Sequence, residues 1–357
     1  RSKVVMSKSL AGTGGRFWIG SEFDGLLLFD PATRRFKRYT NNPNDGASLS
    51  GTSVMALHQD RSGILWVGTR DGLNKFDAKA KKFSHFAFDT HDEKYRMYNN
   101  VRSICQDEHG WLWVGTAGKE NDPGLIRHNP IQGTFKRVQV SQGGIDHIFP
   151  SVYSIAKDPG GELWIATYGE GLYKLNPVTL RLENFKQNDK NQNSIASNYV
   201  RCVFVDRDWM VWMAPRGMPL QIYNPITRRF TSLAGLPGEP IAKGAANILT
   251  IYEDSQHYIW LGTQGLGLFK YDRYAKRFTG YGYNPMDSTS ISYDVVTAIH
   301  EDSRGTLWAG TTEGLNKFNR RTGTFVQYTE REGLPGASVY GILEDNDGHL
   351  WISNSDP

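Results

Sequence analysis

Short apolar runs alternate with polar, glycine-bearing turns along the whole chain. The stretch from Asp60 to Asp77, DRSGILWVGTRDGLNKFD, shows the pattern in full. A polar turn, Asp60-Arg61-Ser62-Gly63, precedes the apolar run Ile64-Leu65-Trp66-Val67-Gly68-Thr69. A second turn, Arg70-Asp71-Gly72, leads into the alternating run Leu73-Asn74-Lys75-Phe76-Asp77. Turn, strand, turn, strand predicts a β-hairpin. The tryptophan of this motif recurs at Trp18, Trp66, Trp113, Trp164, Trp212, Trp260, Trp308 and Trp351, at spacings of 48, 47, 51, 48, 48, 48 and 43. An aspartate lies six residues before seven of them: Asp60, Asp107, Asp158, Asp206, Asp254, Asp302 and Asp345. A period near 48 made only of short β-like runs predicts propeller blades, not a helical solenoid.

Each unit resolves into four expected strands. The first is apolar: Val54–Gln59, Val101–Gln106, Val152–Lys157, Val200–Val205, Ile248–Glu253, Val296–Glu301 and Val339–Glu344. The second carries the tryptophan, the third reads GLNKFD or a relative, and the fourth is short and ends on an aromatic residue. A four-stranded sheet cannot cover both of its faces alone, whereas radial stacking buries both. The expected fold is all-β: a seven-bladed β-propeller of four-stranded antiparallel blades in one domain, 1–357. Its approximate repeats are 1–47, 48–95, 96–145, 146–193, 194–241, 242–289 and 290–332, with a half repeat at 333–357. Eight blades, or an incomplete extra half-blade, is the alternative. Val339–Asn354 either closes the ring against strands near Leu26–Tyr39, or starts an eighth unit while Val4–Gly20 begins the first blade.

The recurring residues have structural roles. Asp and Gly three apart suit a tight turn, the carboxylate accepting local N–H groups and glycine taking positive φ. Trp209 and His257 stand where sister turns have glycine, so those two turns are expected to take another geometry. Each tryptophan supplies a large face between blades, about 1.5–3 kcal/mol of burial.

Composition narrows the class. The 357 residues are 39% hydrophobic, 22% charged and 12% aromatic, as in a globular protein. A net charge of +4 with no basic run does not suggest nucleic acid as a partner. No run is apolar and long enough for a transmembrane helix. The chain begins at Arg1 with no discernible signal peptide and reads as a mature or excised segment. Cys105 and Cys202 lie in apolar runs of non-adjacent repeats and are expected to be free, buried thiols.

The stretch EDSRGTLWAGTTEGLNKFNRRTGTFVQYT (301–329) resembles the two-component regulator propeller repeat. So do QDRSGILWVGTRDGLNKFD, GLPGASVYGILEDNDGHLWIS (333–353) and the inter-repeat stretches NNPNDGASLSGTSV, QNDKNQNSIASNYV and NPMDSTSISYDVV. The resemblance covers nearly the whole chain. It implies the periplasmic or extracellular sensor region of a bacterial membrane signalling protein. Its implied partners are the rest of its own receptor: a second propeller, a β-sandwich module, and transmembrane and output domains of the kinase or cyclase type. It also implies a small-molecule ligand, commonly an oligosaccharide, with homodimerisation left open.

Loops after the second and fourth strands share one face of a propeller, and here they vary against a repeated background. Candidate ligand-binding residues on them are Arg70, Asp71, Arg96, Tyr98, Tyr168, Arg216 and Gln264, with Arg102 and Arg201 at the starts of first strands. Tyr153, Tyr199 and Tyr340 lie among them. Rings cover apolar sugar faces, and guanidinium groups read hydroxyls or carboxylates in pairs. A charged residue in an apolar strand also needs a partner, which can equally be a structural carboxylate.

Catalytic grouping is absent: no Walker loop, HExxH, GxSxG or paired CxxC occurs, and no enzymatic activity, cofactor or metal is expected. His58 and His300 occupy equivalent first-strand positions and read as packing residues. Asp345-Asn346-Asp347-Gly348 resembles a calcium-loop opening but lacks the glutamate such a loop needs. Ligand sensing leads; an interaction module and a propeller lyase are the other two readings.

Overall fold

The computed structural model describes residues 9–11, 16–21, 24–30, 33, 35–77, 81–86, 100–117, 124–129, 132–142, 145–149, 151–239, 247–334, 336–344 and 350–354. Seven four-stranded antiparallel sheets make a seven-bladed β-propeller. The blades are β1–β4 (Ser9–Ala11, Phe17–Gly20, Leu26–Asp30, Arg35–Tyr39), β5–β8 (Val54–Gln59, Leu65–Thr69, Gly72–Asp77, Lys82–Phe86) and β9–β12 (Val101–Gln106, Leu112–Thr116, Leu125–Asn129, Thr134–Arg137). A separate hairpin, β13–β14, spans Gln139–Gln142 and Ile145–Ile148. The next blades are β15–β18 (Val152–Lys157, Leu163–Thr167, Leu172–Leu175, Leu182–Phe185) and β19–β22 (Val200–Val205, Val211–Pro215, Gln221–Asn224, Arg229–Ser232). Then come β23–β26 (Asn247–Glu253, Ile259–Gln264, Leu268–Asp272, Arg277–Tyr281) and β27–β30 (Val296–Glu301, Leu307–Thr311, Gly314–Asn319, Thr324–Tyr328). A two-stranded sheet, β31–β32 (Val339–Glu344, Leu350–Asn354), follows.

The chain divides into two compact units. Unit 1 holds residues 1–22, 27–37 and 233–357; unit 2 holds 23–26 and 38–232. Within unit 1, β31 lies against β27 and β28 and also meets β1. The first blade is completed by its own N-terminal strands, β1 and β2. Pairing of β31–β32 with the strands at 26–39, one of the two closures expected from sequence, therefore does not occur, because β2 already occupies that edge of β3.

The repeated motif builds the contact between blades. The second strand is buried throughout its length in four blades, and in a fifth up to its last residue, Gln264. Trp66 packs with Val101, Leu112, Val114 and Ile126 of the following blade. Trp113, Trp164 and Trp260 repeat the arrangement on their own followers. Glycine in this strand is needed for close approach: a Cβ on Gly68 would stand 2.4 Å from Val101 Cγ1, and one on Gly115 2.6 Å from Val152 Cγ1.

The aspartate does more than shape the turn. Oδ1 of Asp60 accepts from the N–H groups of Ser62 and Ile64, and Oδ2 accepts from Trp66 Nε1 at 2.9 Å. The same three bonds recur around Asp107, Asp206, Asp254 and Asp302. Trp209 and His257 depart from expectation. They keep the turn of their sisters, with φ of 67° and 63°, and their N–H groups donate to Asp206 and Asp254 carbonyls at 3.0 Å. The aspartate's bonds hold the left-handed residue in place, at a local cost of roughly 1–3 kcal/mol.

In the third blade the fourth strand, β12, stops at Arg137, and β13–β14 then adds a hairpin outside the four-stranded pattern. Cys105 and Cys202 form no disulfide and are half-buried, and burial pushes the Cys105 thiol up to about 11. Asp345 to Gly348, Arg96 and Tyr98 lie outside the described residues.

Candidate functional site

Seven first strands open on the same irregularity. In each, the register against the second strand skips a residue near the start, the third in β23 and the second in the others: Met55, Arg102, Tyr153, Arg201, Leu249, Thr297 and Tyr340. Such a β-bulge leaves one residue unpaired and re-aims its side chain. The start of a first strand pairs with the end of the second, as Val152 does with Thr167 and Val200 with Pro215. Bulged residues therefore share one end of the sheet with the loops that follow second strands.

In unit 2 this end gathers a cluster. The Arg102 guanidinium lies 5.4 Å over the Tyr153 ring. Tyr153 stacks on Tyr168 at 5.5 Å, and Tyr168 meets Tyr199 edge-on at 4.7 Å. The Arg216 guanidinium sits 5.7 Å from the Tyr168 ring and donates to its hydroxyl. The backbone fixes this set: Tyr168 N–H donates to Ser151 O at 2.9 Å, and Arg216 N–H to Tyr199 O at 2.7 Å. Tyr168 and Tyr199 remain 40% and 45% exposed.

Arg201 stands beside this group on its own bulge. Burial depresses its pKa, and the titratable groups acting on it are Tyr153, Cys202 and the guanidinium of Arg216. Its Nε is buried without a hydrogen-bond partner among the described residues. The carboxylate in the adjoining loop, Glu170, is engaged by Lys186. An Nε unsatisfied among the described residues does not alone set Arg201 apart, since Arg273 has one too while its Nη2 bonds Glu253 at 2.9 Å; a fully paired arginine is different. Arg320, in unit 1, bonds Asp254 at 2.8 Å, Glu301 at 2.6 Å, Gln256 at 3.1 Å and the Gly305 carbonyl at 3.1 Å.

Of the residues singled out from sequence, Arg102, Tyr168, Arg201 and Arg216 come together, with Tyr153 and Tyr199. Arg70 and Asp71 are exposed in the β6–β7 turn, and the Asp71 carboxylate leans over Gly51, where a Cβ would come within 2.1 Å of Oδ2. Gln264 belongs to unit 1, ends β24 and accepts from Asn247 Nδ2 at 3.3 Å. Sequence reasoning passed over a groove of ≈ 780 Å³ in unit 1, lined in part by Tyr283, Tyr293, Glu313, Gln327 and Glu330. Its two tyrosine rings lie 5.9 Å apart and flank the stretch NPMDSTSIS, a placement that two exposed aromatics around a polar loop could have signalled. His58 and His300 face Trp66 and Trp308 in register, and burial holds both imidazoles below their usual range. Among the described residues no group of three or more His, Cys, Asp or Glu could hold a metal ion.

These blades define a repeat-built β-propeller. Residues 48–71, 96–118, 148–169, 243–265, 290–313 and 333–356 match the family model of the two component regulator propeller, and the chain belongs to that repeat family. No curated protein matches it. Among solved structures, it is similar to the extracellular domain of BT4673 from B. thetaiotaomicron, named as a hybrid two component system: 24% identity, TM-score 0.49, covering 98% of this chain and 45% of that one. It is also similar to PorZ, a surface component of the type-IX secretion system of Porphyromonas gingivalis, at 14% identity and TM-score 0.59, covering 97% of this chain and 58% of that one. A third, the dihydro-heme d1 dehydrogenase NirN, has 12% identity and TM-score 0.65, covering 95% of this chain and 68% of that one. The last two likenesses are of fold. The chain spans about half the length of the first structures it matches, 52% and 45%.

Proposed function

We propose that this chain is the ligand-sensing propeller of a larger bacterial receptor. It faces the periplasm or the cell exterior and binds a saccharide or similar small polar ligand. The observation that carries the reading is the Arg102–Tyr153–Tyr168–Tyr199–Arg216 cluster. Arg102 and Tyr153 stand on bulge positions, and Tyr168, Tyr199 and Arg216 on the loops beside them, of an otherwise repeated scaffold. Two partly exposed rings inclined at 71° suit the apolar faces of a sugar, and the guanidinium groups beside them suit its hydroxyls and acidic substituents. Membership of the regulator propeller family supports a signalling role, and the output module lies elsewhere in the receptor.

Blades packed on both faces make a rigid reader. The signal is passed by a change in how this propeller meets the rest of the receptor, driven by the ligand's differential affinity for two arrangements. Isothermal titration of the chain, and of the full ectodomain, against an oligosaccharide panel tests the reading. Binding by wild type that is lost in Tyr168→Ala supports it. No binding by either protein across the panel overturns it.

A further inference from the structure

We infer that the ligand carries an anionic group, and that Arg201 and Arg216 form its seat; this rests on the saccharide reading above and names the class as acidic saccharides bearing carboxylate or sulfate. A guanidinium stays charged at any ordinary pH. Burying it without a counter-charge is costly, and native structures normally meet the cost with a carboxylate and several hydrogen bonds. Arg320 shows that solution in this same chain, with two carboxylates and two further oxygens around it.

Arg201 shows the opposite. Its Nε is buried and unpartnered among the described residues, and the charge acting on it from Arg216 is of its own sign. Among the described residues Arg216 is held by a phenol hydroxyl and a ring face, not by a carboxylate. Glu170, carried in the Tyr168 loop, is turned to Lys186. Two positive groups on adjoining positions, one with a buried donor that no partner among the described residues satisfies, and two partly exposed tyrosine rings alongside form a composite surface. The donors fit an oxyanion in a planar or tetrahedral geometry, and the rings fit the sugar that bears it.

The experiment has two arms. In the first, thermal unfolding is followed in sodium sulfate and in sodium chloride at matched ionic strength, for wild type and Arg201→Gln. An anion held at the folded protein raises its midpoint by mass action. Wild type is expected to gain more from sulfate than the variant does. Without anion, Arg201→Gln is expected to unfold at the same temperature as wild type or higher, since it removes an uncompensated charge. A lower midpoint for the variant shows a structural counter-ion and overturns the inference.

In the second arm, titration compares uronate oligosaccharides with their carboxyl-reduced counterparts, and sulfated with desulfated forms. The acidic forms are expected to bind about tenfold tighter or more. Arg201→Gln and Arg216→Gln should erase that preference while keeping weak binding of the neutral forms. Equal affinity for acidic and neutral forms overturns the inference and leaves the saccharide reading standing. Sulfate stabilisation that depends on Arg201, with no saccharide bound at all, keeps the anion seat and overturns the saccharide reading.

Discussion

Asp254 Oδ2 accepts a hydrogen bond from Trp260 Nε1 at 2.7 Å and a second from Arg320 Nη1 at 2.8 Å. One carboxylate oxygen thus ties a turn, a second strand and the neighbouring blade. Asp254 is fully buried, so the bond is shielded from solvent. Replacing it leaves Arg320 without one of its carboxylates. Asp254→Asn is expected to cost about 3 kcal/mol, the range for breaking a buried charge pair. Asp60→Asn, whose carboxylate bonds Trp66 and two N–H groups, is expected to cost less, about 1.5–3 kcal/mol. Denaturant midpoints of the two variants check the order; equal losses would contradict the role given to Arg320.

Glycine in the second strand sets how closely blades approach. Gly68→Ala drives a methyl into Val101 of the next blade and is expected to destabilise by about 1–3 kcal/mol. The blades β15–β18 and β19–β22 carry Ala166 and Ala214 at this position and accommodate a methyl. Ala166→Gly should therefore cost only about 1 kcal/mol, from the lost methyl burial. Thermal unfolding of both single variants distinguishes them.

Two kinds of group make the protein acid-sensitive, in different pH windows. Burial depresses His58 and His300, whose Nε2 atoms are buried without hydrogen-bond partners among the described residues. Nearby carboxylates, Asp60 for His58 and Glu344, Asp302 and Glu301 for His300, oppose the shift without cancelling it. The unfolded chain thus binds protons first. The stability this contributes is complete above about pH 6.5 and is lost as pH falls from there toward the folded values. For Asp302, burial raises the pKa, but hydrogen bonds from Trp308, Thr306 and Arg304 outweigh it and leave the group depressed. Its contribution is present above about pH 3.9 and fades below that. A His58→Gln/His300→Gln variant should show a flatter midpoint between pH 6.5 and 5, with the Asp302 phase retained. An unchanged slope would contradict the assignment.

The blade was legible because its signal is local and repeated. Trp, Asp and Gly at fixed offsets gave the turns and second strands, and first strands such as Val101–Gln106 were bounded to the residue. Three features were not legible. The indole-to-carboxylate bond spans six residues and needs the turn geometry to be seen. The bulge after Val101, Val152 or Val200 carries no glycine or proline to mark it, though Arg102 and Arg201 hinted at it by being charged within apolar strands. The partner of β31–β32 depends on sheet edges far apart in sequence, which hydrophobic alternation does not encode. Trp209 and His257 were misjudged because a glycine rule was applied where side-chain hydrogen bonds supply the stabilisation instead. Of the candidate site, the residue types were visible and their meeting was not: Arg102, Tyr168 and Arg216 are brought together only by neighbouring blades.

Hydrogen–deuterium exchange with and without a saturating saccharide from the titration panel tests the central claim most directly, because it reports where the ligand sits. Added protection is expected to concentrate at 151–153, 167–170, 199–202 and 214–217, and to be lost in Tyr168→Ala. Protection confined to other segments, with these four unchanged, would contradict it.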